Sequence, residues 1–339
     1  MGLKIWSSRY VLRFCHSRMR SRDRVRCGAL LKIEDPQFGI GFADCHPWDT
    51  FGDVSLEKQL KLLARGKTTP LTDRSLVFAR IDAAARAQRR NLFSDLTIPS
   101  SHHLVTHLED SSPDLLANVA AQGFTRIKVK LDRDLEKDLA ILETMAKRGE
   151  GTSVKLRLDF GERKRKDVER FLDAASPALL WKIDFIEDPV AYNGEIWEAL
   201  SRTYPVRLAR DRGVVSGALA GAQVAIIKPA IVNPIPIIDL TRAALRQVVV
   251  TSYLDHPLGQ MTAAYAAAMA KRNFPGVVDT CGLLSHEVYE PNIFSESLRC
   301  DGPRLLAPEG MGFGFDRSLE KLKWEPLTPS YGKRGEGEL

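Results

Sequence analysis

Long apolar runs are missing from this 339-residue sequence. No stretch approaches the roughly 18 to 20 consecutive apolar residues that a transmembrane helix requires. The first residues, MGLKIWSSRYVLRFCHSRMRSR, also lack the apolar core and the small-residue cleavage site of a secretory signal. Trp6 occupies the position at which a myristoylation motif has Ser or Thr. We therefore expect a cytoplasmic protein that has no membrane partner.

Cysteine is scarce and follows no pattern. The cysteines are widely separated, their number is odd, and none belongs to a CxxC pair. These features argue against a disulfide framework and against a structural zinc site, both of which need paired or regularly spaced cysteines. We expect reduced thiols at all five positions, which are Cys15, Cys27, Cys45, Cys281 and Cys300.

Charge of one sign does not dominate, because 49 Lys and Arg stand against 43 Asp and Glu, for a net charge of +6. The basic residues cluster at 18–26 and 86–90, without interleaved aromatic residues, zinc-finger spacing or a basic helix leading into a heptad run. A solvated basic face is therefore favoured over a nucleic-acid partner. A non-catalytic nucleic-acid-binding protein is the distant alternative. The cluster at 18–26 also suits a loop that meets an anionic small molecule.

The first 98 residues differ in pattern from the rest of the chain. Two strand-like runs, 4–15 and 24–33, precede a glycine-rich corner at 39–44 and helical patterns at 55–65 and 75–90. This order predicts a small α+β domain over 1–98, which the segment at about 300–325 is expected to join. The polar end at 330–339 is expected to fray.

From residue 99 to about 299 the sequence alternates between strand and helix patterns. This rhythm favours a closed (β/α) barrel over an open doubly wound sheet. The absence of a G-x-G-x-x-G motif after the first strand also weighs against a dinucleotide-binding sheet. The predicted strands cover 102–108, 126–131, 154–160, 183–189, 206–211, 224–229, 247–255 and 277–282.

Charged residues end five successive predicted strands, and the active sites of such barrels lie at the carboxyl ends of the strands. Three carboxylates from adjacent strands can converge on one ion, and ligation by oxygen alone suits Mg²⁺, with Mn²⁺ as a substitute. The strands end, in chain order, at Lys128 and Lys130, Asp159, Glu187, Asp211 and Lys228.

The lysines add a base to this predicted metal site. Lys128 and Lys130 lie on one face of a strand because side chains alternate, so each should lower the pKa of the other. A metal ion makes the α-proton of a bound carboxylate more acidic, and ammonium groups stabilise the charge that develops. Lys228 would approach the substrate from the opposite side of the barrel. The pattern predicts metal-assisted proton abstraction from a small anionic carboxylate, with these three lysines as catalytic groups.

The K-x-K pair, the three acids and the later lysine resemble the muconate-lactonizing branch of the enolase superfamily. Within that branch, the segments GFADCHPW (41–48), FIEDP (185–189), IIKPA (226–230) and TSYLDHPLGQ (251–260) resemble the o-succinylbenzoate synthase family. The resemblance spans nearly the whole chain. It implies an α/β fold, namely a modified TIM barrel of the (β/α)7β-like type with an N-terminal α+β capping domain.

The resemblance also implies roles for individual residues. Asp159, Glu187 and Asp211 would bind Mg²⁺. Lys130 would remove the α-proton of a cyclohexadiene carboxylate and return a proton to the departing hydroxyl, while Lys228 would stabilise the enediolate as a cation. The implied reaction is the dehydration of 2-succinyl-6-hydroxy-2,4-cyclohexadiene-1-carboxylate to o-succinylbenzoate in menaquinone biosynthesis.

Substrate contacts are expected from two capping loops, at about 16–26 and 44–53, and from the ends of the last strands. His102 and His103 are predicted to lie at a strand start, away from the chemistry, and to be structural. The candidates for substrate binding are Arg20 (flanked by Arg18 and Arg22), His46, Ser252 and Gly282.

Two positions depart from the family pattern: Gly161 stands where members often have Asn, and Arg212 where they often have Glu. Other activities of the branch stay open, because an N-acylamino acid racemase, a dipeptide epimerase or a cycloisomerase would use the same lysines. Dipeptide epimerases usually carry Asp-x-Asp on strand eight, whereas only Asp279 is present here. The oligomeric state is left open.

Overall fold

The computed structural model describes residues 3–15, 25–132, 134–244 and 246–327. The strands are β1 (Lys4–Arg13), β2 (Val25–Asp35), β3 (Gly39–Cys45), β4 (His103–Val105), β5 (Arg126–Lys130), β6 (Lys155–Asp159), β7 (Ile183–Glu187), β8 (Leu208–Arg210), β9 (Val224–Ile227), β10 (Gln247–Val250), β11 (Arg299–Asp301), β12 (Arg304–Leu306) and β13 (Glu325–Pro326). The α-helices are α1 (Leu56–Ala64), α2 (Pro70–Ala87), α3 (Leu115–Ala121), α4 (Leu135–Arg148), α5 (Arg165–Ala174), α6 (Pro177–Lys182), α7 (Gly194–Thr203), α8 (Pro234–Ala243), α9 (Pro257–Asn273) and α10 (Asp316–Glu320). None of these described helices has both the length and the apolar content needed to cross a bilayer.

The N-terminal strands form an antiparallel sheet in the order β13-β1-β2-β3. Helix α2 begins at Pro70 after a capping box at Thr69, and it packs across β3. Gly41 permits this close approach, since a Cβ atom there would lie 1.9 Å from the carbonyl oxygen of Ala79. Strand β13 pairs with β1, so the last described segment returns to the N-terminal sheet. A domain boundary at residue 98 stays a prediction.

The second sheet is parallel and curled, in the order β10-β9-β8-β7-β6-β5-β4. Its eighth position is occupied by 278–282, which pairs with the β10 region through the bridges Val248↔Val278 and Thr251↔Gly282. The bridge Ser101↔Cys281 then connects this segment to the chain just before β4. The predicted modified TIM barrel is therefore confirmed, although its eighth segment pairs only through isolated bridges. Part of its core is an apolar cluster of Phe185, Ala209, Val224, Ile226 and Val249.

Buried polar contacts join the N-terminal sheet to the barrel. Tyr10 donates a hydrogen bond of 2.7 Å to Asp44 Oδ1, and the backbone N–H of His256 donates to Asp44 Oδ2 at 3.1 Å. The indole N–H of Trp48 donates to the carbonyl oxygen of Tyr253 at 2.8 Å. These bonds hold the loop at 44–53 against the segment that follows β10, beside the carboxyl ends of the barrel strands.

Candidate active site

The charged strand ends converge in the structure. The Nζ atom of Lys128, on β5, lies 2.7 Å from a carboxylate oxygen of Glu187 and 3.2 Å from one of Asp159. Lys228 follows β9 and forms an ion pair with Asp211. Residues from five neighbouring strands therefore form one network of acids and lysines.

Lys130 belongs to the same network by register. It pairs directly with Asp159 across β5 and β6, so the two side chains lie beside each other on one face of the sheet. Burial alone would raise the pKa of Asp159, but the charges of Lys128 and Lys130 lower it below its ordinary value. Within the described part of the chain, Lys128 and Lys228 form salt bridges and Lys130 forms none. This difference separates two lysines held by acids from one that is available for proton transfer.

The acids at the centre of the network are strongly affected by burial. Glu187 is only 2% exposed, and its burial raises its pKa to about 8; the nearby charges of Asp159 and Asp211 act in the same direction, while Lys128 opposes them. Burial would lower the pKa of Lys128, but the charges of Glu187 and Asp159 outweigh it and raise that pKa above its ordinary value. The expectation that the paired lysines lower each other's pKa is wrong for Lys128, because it lies between two carboxylates.

Asp188 is a member of the acidic cluster that the sequence did not reveal. One carboxylate oxygen from each of Glu187, Asp188 and Asp211 lies within 4.8 Å of the others. The backbone of Asp188 has a φ of 43°, which interrupts the alternation of the strand and lets two successive acids approach the same point. Asp188 also accepts hydrogen bonds of 3.1 Å from the backbone N–H groups of Asp211 and Arg212. It therefore fixes the chain immediately after β8.

The donor set fits a magnesium ion. Mg²⁺ prefers oxygen ligands, few of them from the protein, and the strand ends supply carboxylates from Asp159, Glu187 and Asp211. The ammonium groups of Lys128 and Lys228 neutralise part of their charge. A divalent ion held by these acids would relieve the repulsion that helps to raise the pKa of Glu187.

A cleft of about 960 Å³, including its open mouth, lies over the acids. It brings together most of the residues predicted for the site, and Glu187 lies buried beneath it. The cleft also has walls that the sequence did not predict, among them Phe51 from the loop at 44–53. The predicted residues that line it are Lys128, Lys130, Asp159, Asp211, Lys228, Ser252 and Gly282.

The two substrate-binding candidates at the last strands have defined surroundings. Ser252 shares a hydrogen bond of 2.6 Å with Ser285, so its hydroxyl is oriented. Gly282 packs against the ring of His102, and a Cβ atom at residue 282 would lie 2.8 Å from that ring and 2.9 Å from Thr251. A glycine is therefore needed at this point of the cleft for close packing.

Two histidine expectations are corrected by the structure. His102 and His103 line the cleft, because the barrel is staggered and the chain before β4 meets the end of the eighth segment at Ser101↔Cys281. His46 is not among the described residues that line the cleft. It is 1% exposed, its Nδ1 lies 2.9 Å from the hydroxyl of Tyr10, and burial lowers its pKa to about 3. His46 thus belongs to the buried contact between sheet and barrel.

Three further positions named from the sequence remain, and the structure describes two of them, Gly161 and Arg212. Arg20, with Arg18 and Arg22, lies outside the described residues. Gly161 has a φ of 60°, a left-handed conformation that Asn also tolerates, so this departure from the family pattern keeps the backbone shape. Arg212 forms an ion pair of 3.4 Å with Glu162.

The comparisons with known proteins agree with this geometry. Residues 113–321 match the sequence model of the enolase C-terminal domain-like family, and residues 5–85 match the N-terminal domain of O-succinylbenzoate synthase. The chain belongs to the enolase superfamily. A superfamily relative from Bdellovibrio bacteriovorus, named o-succinylbenzoate synthase, is 32% identical over 330 residues, which cover 96% of this chain and 99% of that protein. The protein is accordingly an enzyme of the lyase class.

Solved structures of the superfamily share the fold at low sequence identity. A member from Roseovarius nubinhibens, described as complexed with magnesium, superposes with a TM-score of 0.73 at 16% identity and covers 92% of this chain and 95% of its own. A dipeptide epimerase from Enterococcus faecalis gives 0.71 at 14% identity, with coverages of 93% and 99%. The L-Ala-D/L-Glu epimerase from Bacillus subtilis gives 0.72 at 18% identity, with coverages of 91% and 97%.

Removing the carboxylate of Asp188 should weaken the candidate magnesium site without removing one of its three predicted ligands. We expect Asp188→Ala to raise the Mg²⁺ concentration needed for half-maximal activity by about 10–100-fold, because the backbone of Asp211 loses its anchor. Asp188→Asn, which keeps one acceptor oxygen, should fall between this variant and the parent. Titration of activity with Mg²⁺ measures the effect, and Glu162→Gln is the matched control. An unchanged Mg²⁺ requirement in Asp188→Ala would refute the anchoring role.

Proposed function

We propose that the enzyme catalyses the magnesium-dependent syn-dehydration of 2-succinyl-6-hydroxy-2,4-cyclohexadiene-1-carboxylate to o-succinylbenzoate, a step of menaquinone biosynthesis. The observation that carries the proposal is the division of labour among the lysines of one cleft. Lys128 and Lys228 are ion-paired, whereas Lys130 forms no salt bridge among the described residues. The name of the Bdellovibrio bacteriovorus relative supports the same reaction.

The reaction begins with the loss of a proton next to a carboxylate. Mg²⁺ bound by Asp159, Glu187 and Asp211 would supply Lewis-acid stabilisation of the negative charge that develops on that carboxylate. Lys228, held by Asp211 on the opposite wall of the cleft, presents a cation to the same charge. Lys128 lies deeper, between Glu187 and Asp159, and balances the charge of the acids.

Lys130 is assigned the proton transfers. As a neutral amine it takes the α-proton and becomes an ammonium group. It then donates that proton to the departing hydroxyl on the same face of the ring, which leaves as water. The product ring is aromatic, so the second step is strongly favourable. One lysine thus serves as base and then as acid, which a syn elimination requires.

A racemase or epimerase would instead need two bases on opposite faces of the α-carbon. Lys130 and Lys228 both line the cleft, and β5 and β9 lie four positions apart in the strand order, so the two side chains reach the cleft from opposite sides of the barrel. The experiment below therefore also tests this alternative. Two contacts weigh against it. Lys228 is engaged with Asp211, and Asp279, the single acid of the strand-eight motif, is engaged with the buried Arg157 at 3.1 Å. Asp279 therefore offers no free carboxylate to the ammonium group of a dipeptide.

The deciding experiment compares substrates on the purified, Mg²⁺-loaded enzyme. The cyclohexadiene carboxylate is assayed for dehydration beside a panel of N-acylamino acids assayed for racemisation and dipeptides assayed for epimerisation. We expect turnover of the cyclohexadiene, and at most slow racemisation of the others. Racemisation or epimerisation without dehydration would overturn the proposal in favour of the two-base reaction.

A further inference from the structure

A second group of metal-binding side chains lies beside the cleft and takes no part in the proposed reaction. It consists of His286, Glu287 and Cys300, each of which places one ligand atom within 4.8 Å of the other two. The Sγ atom of Cys300 lies 3.9 Å from Nε2 of His286. His286 and Glu287 belong to the 3₁₀ turn Ser285–Val288, which follows the eighth barrel segment, and Cys300 lies on β11. The turn and the strand, whose ligands His286 and Cys300 are 14 residues apart in sequence, therefore bring a nitrogen, an oxygen and a sulfur ligand to one point.

We propose that His286, Glu287 and Cys300 form a binding site for a transition-metal ion of the Zn²⁺ class, separate from the magnesium site. Imidazole and thiolate ligands select zinc-like ions, whereas Mg²⁺ is bound by oxygen ligands alone. A tetrahedral ion with bonds of about 2.0–2.3 Å sets its ligand atoms about 3.3–3.8 Å apart. The distance between Cys300 and His286 is close to that range, so a small closure of the group would complete the site. Three protein ligands leave a fourth position for water.

The orientation of His286 is set by a neighbour that is not a ligand. Oε1 of Gln260 accepts a hydrogen bond of 2.8 Å from the backbone N–H of His286 and lies 3.1 Å from its Nδ1. The amide nitrogen of Gln260 lies 3.0 Å from the same Nδ1, so the amide can partner either tautomer of the ring. In the tautomer with the proton on Nδ1, which Oε1 accepts, the lone pair of Nε2 is directed to the side of Cys300. Such a contact is the usual device by which proteins orient a metal-binding histidine. Gln260 is fully buried on α9, so the arrangement has a rigid support.

The site connects the cleft to the surface. Glu287 lines the cleft, whereas Cys300 is exposed on the hairpin of β11 and β12. An ion bound here would tie that hairpin to the turn at the end of the barrel. We therefore expect binding to raise the midpoint of thermal unfolding, and to do so at ion concentrations at which the magnesium site is already filled.

The test uses the full chain, reduced and in a large excess of Mg²⁺, so that Mg²⁺ competes with Zn²⁺ at the acidic site. Zn²⁺ affinity is measured by competition with a chromophoric chelator, and Co²⁺ is used as a spectroscopic substitute. We expect one Zn²⁺ per chain and a thiolate-to-cobalt charge-transfer band. Removing a residue that only hydrogen-bonds to a metal ligand typically lowers metal affinity by about 10–100-fold. Removing one of the three ligands should therefore lower Zn²⁺ affinity at least tenfold.

The variants separate this site from other thiols. Cys300→Ser and His286→Asn should weaken Zn²⁺ binding at least tenfold, and Cys300→Ser should abolish the cobalt band. Cys27→Ser removes another exposed thiol and should change neither measurement. Dehydratase activity with Mg²⁺ should be unchanged in Cys300→Ser, which shows that the variant is folded. Equal Zn²⁺ affinity in Cys300→Ser and the parent, or loss of the cobalt band in Cys27→Ser instead, would overturn the proposal.

Discussion

Replacing Lys130 by alanine lowers kcat for dehydration by about 10²–10⁴-fold, the usual contribution of a general base. The side chain is placed for proton transfer by its register opposite Asp159 and by its position in the cleft wall. Lys128 cannot replace it, because Glu187 and Asp159 hold that lysine in its charged form. Steady-state kinetics at saturating Mg²⁺ measure the loss, which should fall on kcat more than on KM.

Two further variants sharpen this prediction. Lys271→Ala removes an exposed lysine at the end of α9 and should leave kcat within a factor of two. Lys228→Ala should lower kcat through loss of a stabilising cation, but it should leave the transfer of the α-proton to Lys130 detectable by exchange with heavy water. If Lys130→Ala keeps the activity of the parent, another group is the base and the assignment of the lysines is wrong.

The convergence of the charged strand ends was predictable because it depends on local rules. Side chains alternate along a strand, and parallel barrel strands all end at the same rim. The apolar residues two positions before Glu187, Asp211 and Lys228 form part of one cluster in the barrel core, as the alternation requires. An apolar run followed by one charged residue therefore carries enough information to place that residue at the mouth of the barrel.

The stagger of the barrel was not predictable in this way. Whether a residue at a strand start faces the cleft depends on how the first and eighth segments meet, which is a property of the whole ring. The sequence pattern places His102 and His103 at the wrong end of the barrel for this reason. The surroundings of His46 likewise depend on contacts with Tyr10 and the segment after β10, which are distant in sequence.

The backbone conformation and the charged neighbours of single residues also could not be predicted from the sequence pattern. Asp188 joins the acidic cluster with a positive φ, and nothing in the run FIEDP distinguishes that geometry from a simple turn. The pKa of Lys128 is raised, and not lowered as the sequence led us to expect, for a related reason. Its nearest charged neighbours are carboxylates from other strands rather than the second lysine of its own strand, so a pKa argument based on adjacent residues chose the wrong partner.

Removing the metal ion should abolish the activity, and removing its central ligand should do nearly the same. Treatment of the parent enzyme with a chelator should reduce dehydration to background, and Mg²⁺ should restore it, with Mn²⁺ as a substitute. Glu187→Gln should lower kcat by about 10²–10³-fold, because an ion typically contributes several kcal/mol to stabilising the charge of the transition state. Glu187 is the most informative ligand to change, since it contacts Lys128 and belongs to the acidic group that it forms with Asp188 and Asp211.

The matched control for this prediction is Glu162→Gln, which removes an acid whose partner is Arg212 and which should keep both the activity and the Mg²⁺ requirement of the parent. Circular dichroism distinguishes a lost ion from a lost fold in Glu187→Gln. The charge of Lys128 would then be balanced by Asp159 alone, so added Mg²⁺ should bind far more weakly and should not restore kcat at concentrations that saturate the parent. Dehydration that persists in chelated enzyme, or a Glu187→Gln variant with normal kcat and Mg²⁺ dependence, would show that these acids do not hold the catalytic ion.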